Sequence, residues 1–182
     1  MTFSELRERL PDTAKDLRLN LDAIARIETL TPPQLWGGVL AAALATRQAD
    51  VIRAAAAEAR TRLDPAAFAT TYPAVRTAAS LMAMNNVYYR TRHLLHDAAF
   101  DAVPARLRMQ GMQSHGAPQV DFELWSVAVS AVNGCGMCLE SHVGKLVKQH
   151  GVAVETVHET VRIASVVAAV AATLDGEAAL AG

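Results

Sequence analysis

Large rings are scarce in this chain: phenylalanine, tyrosine and tryptophan together make up 5% of its 182 residues. Packing must therefore come from small aliphatic side chains brought close together, and helices meeting through alanine faces do that well. Such faces also tend to be left over, which predicts a homo-oligomer. Charge of either sign is not in excess: 17 Lys and Arg stand against 18 Asp and Glu, a formal net charge of -1. That balance offers no electrostatic case for nucleic acid or for an anionic membrane surface. The opening Met1-Thr2-Phe3-Ser4-Glu5-Leu6-Arg7-Glu8-Arg9 alternates charges where a signal peptide needs an apolar stretch. The longest apolar run, Val166 to Leu174, is broken by Thr173 and falls far short of a bilayer span. The chain reads as soluble and cytoplasmic. It has no glycine-rich phosphate loop, no dinucleotide fingerprint and no Ser-His-Asp arrangement.

Cysteine is also rare, at two residues. In a reducing compartment a lone pair is not expected to be a permanent staple, so its placement matters more than its number.

What is present describes one folded domain over residues 1–182, with a hydrophobic fraction of 52% and a charged fraction of 19%. Helix signals run throughout and no convincing strand appears; Val127 and Val129 alternate with small residues, but the length and alanine content around them favour helix. Ser4 is placed to cap a first helix to Leu10, and Asp12 or Thr13 to open a second through about Ile27. Pro32 and Pro33 suit the first turn of a third, running to about Arg47. Asp50 is placed to cap Val51 to Arg62. Asp64-Pro65 starts a further segment, and Pro73 begins a long one reaching about His96. After a turn at Pro104 to Met109 and a loop at Ser114 to Pro118 come helices over roughly Asp121 to Val132, Cys135 to His150 and Val154 to Thr173. Gly151 is a natural stop for the second of these. A faint internal repeat lays His93 over His142, and Asn86 and Tyr89 over Cys135 and Cys138. Both stretches then run from an apolar helix through Asn into a short polar turn, the first copy lacking the thiols.

The chemistry concentrates in Cys135-Gly136-Met137-Cys138, just after Asn133-Gly134. Residues three apart on a helical turn are neighbours, so the two sulfurs can reach disulfide distance with little backbone movement. The first turn of a helix aims unpaired N–H groups and the positive dipole end at them. That favours thiolate, the nucleophilic form, over a thiol of ordinary pKa about 8.5. His142 follows Cys138 by four residues, which puts the imidazole on the same face, where it can accept or donate a thiol proton. Glu123 lies on the preceding helix, and a hairpin through Asn133-Gly134 would fold it back toward the thiols to orient that imidazole or take its proton. Taken alone, Glu123 reads as a solvated helix residue. Trp36 and Trp125 read as core anchors, Tyr88-Tyr89-Arg90 as a packed face, and the methionines from Met82 to Met112 as gap filling. His115, His150 and His158 have no evident partners.

Three stretches resemble the AhpD alkyl hydroperoxidase family: Phe122-Glu123-Leu124-Trp125-Ser126 running on to Asn133-Gly134-Cys135-x-x-Cys138 with His142; Met84-Asn85-Asn86-Val87-Tyr88-Tyr89-Arg90; and Leu10-Pro11 with Ala14-Lys15-Asp16 followed by Gln34-Leu35-Trp36-Gly37. The resemblance implies an all-α fold of two related helical halves, about 1–110 without thiols and about 118–182 carrying the Cys-x-x-Cys centre, assembled as a homotrimer. It implies no bound cofactor and no metal. Electrons would come from dihydrolipoyl groups on a 2-oxo-acid dehydrogenase subunit working with dihydrolipoamide dehydrogenase, and would pass to organic hydroperoxides or to the partner peroxiredoxin AhpC. On this resemblance Cys138 is the thiol that attacks peroxide, Cys135 the resolving thiol and proton donor, and Glu123 and His142 the proton relay. The helix-end argument instead favours Cys135 as nucleophile, and which sulfur takes the lipoyl electrons stays open. Met137 stands where close relatives can carry a histidine. Three other readings compete: a lactone decarboxylase of the carboxymuconolactone decarboxylase superfamily, a zinc-binding module using Cys135, Cys138 and nearby histidines, and a redox sensor.

Overall fold

Helix follows helix along the whole chain, and the computed structural model, which describes residues 1–182, contains no strand. The order is α1 Phe3–Arg9, α2 Lys15–Ile24, α3 Pro32–Thr46, α4 Ala49–Arg62, α5 Pro65–Leu95, α6 Ala98–Asp101, α7 Gln119–Asn133, α8 Gly136–Gly144 and α9 Val154–Ala181. Short 3-10 turns lie at Asp12–Ala14 and Gln110–Met112, and the backbone widens to a π-helix at Lys145–Gln149 directly after α8.

The centre is made by α3 and α7, packed on each other and flanked by α5 and α9. In α3 every residue from Leu35 to Ala43 is buried, and in α7 every residue from Asp121 to Ser130. A helix buried all round needs no amphipathic stripe; it needs small side chains so that neighbours can approach on each side. Gly37 shows how close they come. A Cβ there would overlap the indole of Trp125, whose Nε1 donates to the Pro33 carbonyl at 3.2 Å. Both tryptophans are buried, as expected of core anchors.

Caps explain where helices begin, and some begin elsewhere than the sequence suggested. Thr2, not Ser4, caps α1: its hydroxyl accepts from Glu5 N at 3.2 Å, and the Glu5 carboxylate accepts from Thr2 N at 2.8 Å. This reciprocal box satisfies two donors that a cap at Ser4 would leave open. The same device, Thr31 with Gln34, starts α3 with Pro32 and Pro33 in its first turn. Gln48, not Asp50, caps α4, because Arg9 and Arg53 draw the Asp50 carboxylate away at 2.7 Å each. The expected break at Pro73 is absent: α5 is one helix of 31 residues with Pro73 inside it. An interior proline costs about 3 kcal/mol, offset here by burial of Thr71, Ala74, Val75 and Ala78 on either side. Nor is there a polar turn after Asn86, which lies within α5. Local shape therefore does not repeat between Asn86 and Cys135.

Helix α9 runs to Ala181, well past the expected Thr173. By length and composition it is apolar enough to cross a membrane, with a window of mean hydropathy 1.6. Within the fold one stripe of it, including Ile163, Val167, Val170 and Leu174, is buried, and it packs on α2, α3 and α7.

Candidate active site

The site is built on the hairpin of α7 and α8. Gly134 ends α7 in the left-handed region at φ 66°, a conformation that costs glycine nothing and other residues strain. This lets the chain reverse within two residues, with Cys135 N donating to Ser130 O at 3.1 Å. Cys135 then caps α8, its sulfur accepting from Cys138 N at 3.4 Å. Cys135 and Cys138 are joined as a disulfide with Cα atoms 5.3 Å apart. The expected reach between the two sulfurs is thus realised.

The two cysteines are not equivalent. Cys135 is 0% exposed and packed behind the turn, whereas Cys138 is 6% exposed and lines a cavity of about 540 Å³. Met82, Asn85 and Tyr89 from α5, Met109, Met112 and Gln113 from the turn before α7, and Met137, Ser141, His142 and Lys145 complete the wall. Four methionines give this cavity a soft, adaptable and mainly apolar surface. They are not simply gap filling: Met82 faces the imidazole, and Met109, Met112 and Met137 face the cavity. Tyr89, expected on a packed face, lines it too. Its neighbour Arg90 donates to the Asn133 carbonyl, and Arg92 pairs with Asp101 at 2.8 Å.

His142 is buried on α8, between α7 and α5. Its Nδ1 lies 2.5 Å from Glu123 Oε2, and its Nε2 lies 3.2 Å from Met82 Sδ. Glu123 is completely buried, against the solvated position expected from its sequence context alone; the hairpin folds it inward, as the same sequence also suggested. Its second oxygen, Oε1, accepts from Gln119 Nε2 at 2.9 Å and from Lys145 Nζ at 3.0 Å. Burial by itself would raise the carboxyl pKa. Hydrogen bonds and positive charge from His142, and then from Lys145, outweigh it and lower the pKa from 4.5 to about 2. The carboxylate is therefore a permanent anion at neutral pH, fixing the orientation of the imidazole. The chain continues outward. Ala117 N donates to His115 Nδ1 at 3.2 Å, so His115 Nε2 carries the hydrogen and donates to Gln119 Oε1 at 3.2 Å. The His115 ring stacks on Phe122 at 3.9 Å. His115, without evident partners in the sequence, is thus part of this support.

A second set of hydrogen bonds ties α5 to the hairpin. Asn86 Nδ2 donates to Ser130 Oγ at 3.0 Å, and Asn133 Nδ2 donates to Asn86 Oδ1 at 2.9 Å. The structure thus gathers Cys135, Cys138, His142 and Glu123 around one hairpin. Sequence reasoning missed Gln119, Lys145, Met82 and Asn85. Gln119 and Lys145 had a signal: each sits one helical turn from a recognised residue, Glu123 and His142 respectively. Met82 had none, and Asn85 had only its place in the Met84 to Arg90 stretch that resembles the family, because both come from a helix far away in the chain.

A redox-linked cysteine pair on an all-helical hairpin, backed by a histidine and a buried carboxylate, defines a helical thiol–disulfide protein outside the thioredoxin class. Comparison agrees. Residues 98–181 match the carboxymuconolactone decarboxylase family. An alkyl hydroperoxide reductase AhpD of Rhodospirillum centenum is 50% identical over 182 residues, covering 100% of this chain and 95% of its own length. An AhpD of Gluconacetobacter diazotrophicus is 51% identical over 180 residues, with 99% and 96% covered. One from Streptomyces coelicolor is 50% identical over 181 residues, with 100% and 99% covered. The chain belongs to the AhpD family.

Proposed function

We propose that the chain is an antioxidant thiol peroxidase whose Cys138 attacks organic hydroperoxides and whose Cys135 resolves the product. The observation that carries this reading is the asymmetry of the pair: Cys138 meets the cavity that His142 also lines, while Cys135 is sealed behind it. Thiolate attack on the peroxide gives a sulfenic acid at Cys138 and an alcohol. The Cys135 thiol then condenses with the sulfenic acid, releasing water and restoring the disulfide. An external dithiol returns two electrons by thiol–disulfide exchange. His142, held by Glu123, passes protons between the cavity and the sulfurs. No bound cofactor or metal is needed in this cycle.

The donor in this reading is a dihydrolipoyl group on a 2-oxo-acid dehydrogenase subunit, recharged by dihydrolipoamide dehydrogenase. The soft, apolar cavity wall suits both an alkyl chain and a lipoyl arm. The relatives' name, alkyl hydroperoxide reductase, supports the alkyl hydroperoxide as oxidant, and in this reading the peroxiredoxin AhpC is a second, protein acceptor. We place the protein in the cytoplasm as a homotrimer of two related helical halves, acting without nucleic acid or membrane.

The test is turnover of cumene hydroperoxide with dihydrolipoamide as reductant. Cys138→Ser is expected to abolish it. Cys135→Ser is expected to stop after one turnover, with a sulfenate or mixed disulfide trapped on Cys138. Wild-type turnover by either variant overturns the reading. A lactone decarboxylase would be indifferent to both changes, and a zinc module would yield near-stoichiometric metal with thiols unreactive until chelation.

A further inference from the structure

Among the amides near the disulfide, one stands apart. Asn86 and Asn133 are bonded to each other and to Ser130. Asn85, the preceding residue on α5, is 5% exposed and lines the cavity beside Cys138, yet its side-chain Oδ1 is buried with no hydrogen-bond partner in the protein. Its backbone carbonyl oxygen is 3.9 Å from Cys138 Sγ, which puts residue 85 directly against the reactive sulfur. Leaving a buried amide oxygen unpaired is destabilising. An apolar residue at position 85 would fill the same wall without that cost. A polar group kept unpaired in a residue of the cavity wall is a place for a partner that enters the cavity.

We propose that Asn85 binds the head group of the hydroperoxide, its carboxamide pairing with the O–O–H unit in line with Cys138. The inference rests on the peroxidase reading above and adds the residue that recognises the oxidant. A hydroperoxide carries one O–H donor next to an acceptor oxygen; a carboxamide carries an acceptor next to a donor. Oδ1 accepts the peroxide O–H, and Nδ2 donates to the oxygen that bears the alkyl group. The Cys138 thiolate then donates its electron pair to the hydroxyl oxygen. The S–O bond forms as the O–O bond breaks, sulfur is oxidised by two electrons, and the alkyl oxygen leaves as an alkoxide. The Nδ2 hydrogen bond strengthens as that negative charge develops, and the alkoxide becomes the alcohol by taking, through His142, the proton that Cys138 gave up on forming its thiolate. The surrounding wall, Met82, Met112 and Met137, receives the alkyl chain.

The experiment separates the two half-reactions. Reduced wild type, Asn85→Leu and Asn85→Asp are each mixed with cumene hydroperoxide, and thiol loss is followed in time. Their disulfide forms are mixed separately with dihydrolipoamide. Asn85→Leu removes both hydrogen-bonding ends; Asn85→Asp keeps the shape and an acceptor but sets a negative charge against the departing alkoxide. Both are expected to oxidise about tenfold more slowly, a clearly larger loss than any in their reduction. Oxidation within about twofold of wild type in both variants overturns the proposal, as does a parallel fall in both half-reactions, the signature of a merely structural residue. Should Asn85→Leu fail to fold, Asn85→Asp decides alone. A wild-type protein whose thiols ignore hydroperoxide sinks the peroxidase reading itself, and this inference with it.

Discussion

Glu123 Oε2 lies 2.5 Å from His142 Nδ1, joining a carboxylate from α7 to an imidazole from α8 inside the protein. The pair stands at the crossing of two helices and leaves the other face of the imidazole to Met82 and the cavity. Its energetics and the asymmetry of the cysteines lead to most of what can be tested.

The carboxyl pKa of Glu123 falls from 4.5 to about 2 on folding. A depressed pKa stabilises the folded state fully above the unfolded value and ceases to do so as pH falls through the folded one. Wild type is therefore expected to lose this contribution between about pH 4.5 and pH 2. Glu123→Gln removes the anion, should cost about 2 kcal/mol at pH 7, and should flatten the stability profile across that acid window. Urea unfolding midpoints taken through the window check both points.

Lys145 sets a cation against the second oxygen of Glu123, with its side chain 35% exposed. Lys145→Met leaves the carboxylate with His142 and Gln119, so the carboxyl pKa should move back up. The acid loss of stability then begins at higher pH than in wild type. An unshifted acid limb in this variant would show that Lys145 does not hold the carboxylate.

Burial orders the two thiols. In the reduced protein, brief treatment with iodoacetamide should label Cys138, which lines the cavity, well before Cys135, which is fully buried. Peptide mass spectrometry reads the order, and equal labelling would contradict the division of labour between the sulfurs.

Gly37→Ala places a methyl against the Trp125 indole. Overpacking of this kind costs about 1–3 kcal/mol, and the expected signs are a lower melting temperature and altered tryptophan emission. Gly38→Ala is the control, since its nearest neighbour, Ile163, would be 4.0 Å away.

Much of the site was legible in the sequence. The spacing of Cys135, Cys138 and His142 required them to share a face of α8, and the Asn133-Gly134 turn pointed Glu123 back at them. Corrections to the helices were of two kinds. Caps shifted where side chains chose between partners, as Asp50 did for Arg9 and Arg53 over its own helix end. Helix ends and breaks shifted where packing outweighed local preference, as at Pro73 inside α5 and at the far end of α9.

The amino-acid order by itself determined that the chain is helical and that two thiols and an imidazole lie within about two turns of helix, because the period of the backbone decides which residues are neighbours along it. Only the tertiary structure decided that Glu123 is buried against His142, that Cys138 rather than Cys135 meets the cavity, and that Met82 and Asn85 complete the wall. Those contacts join helices distant in the chain. They depend on how helix surfaces of small residues interlock in space, which no spacing within a single helix encodes.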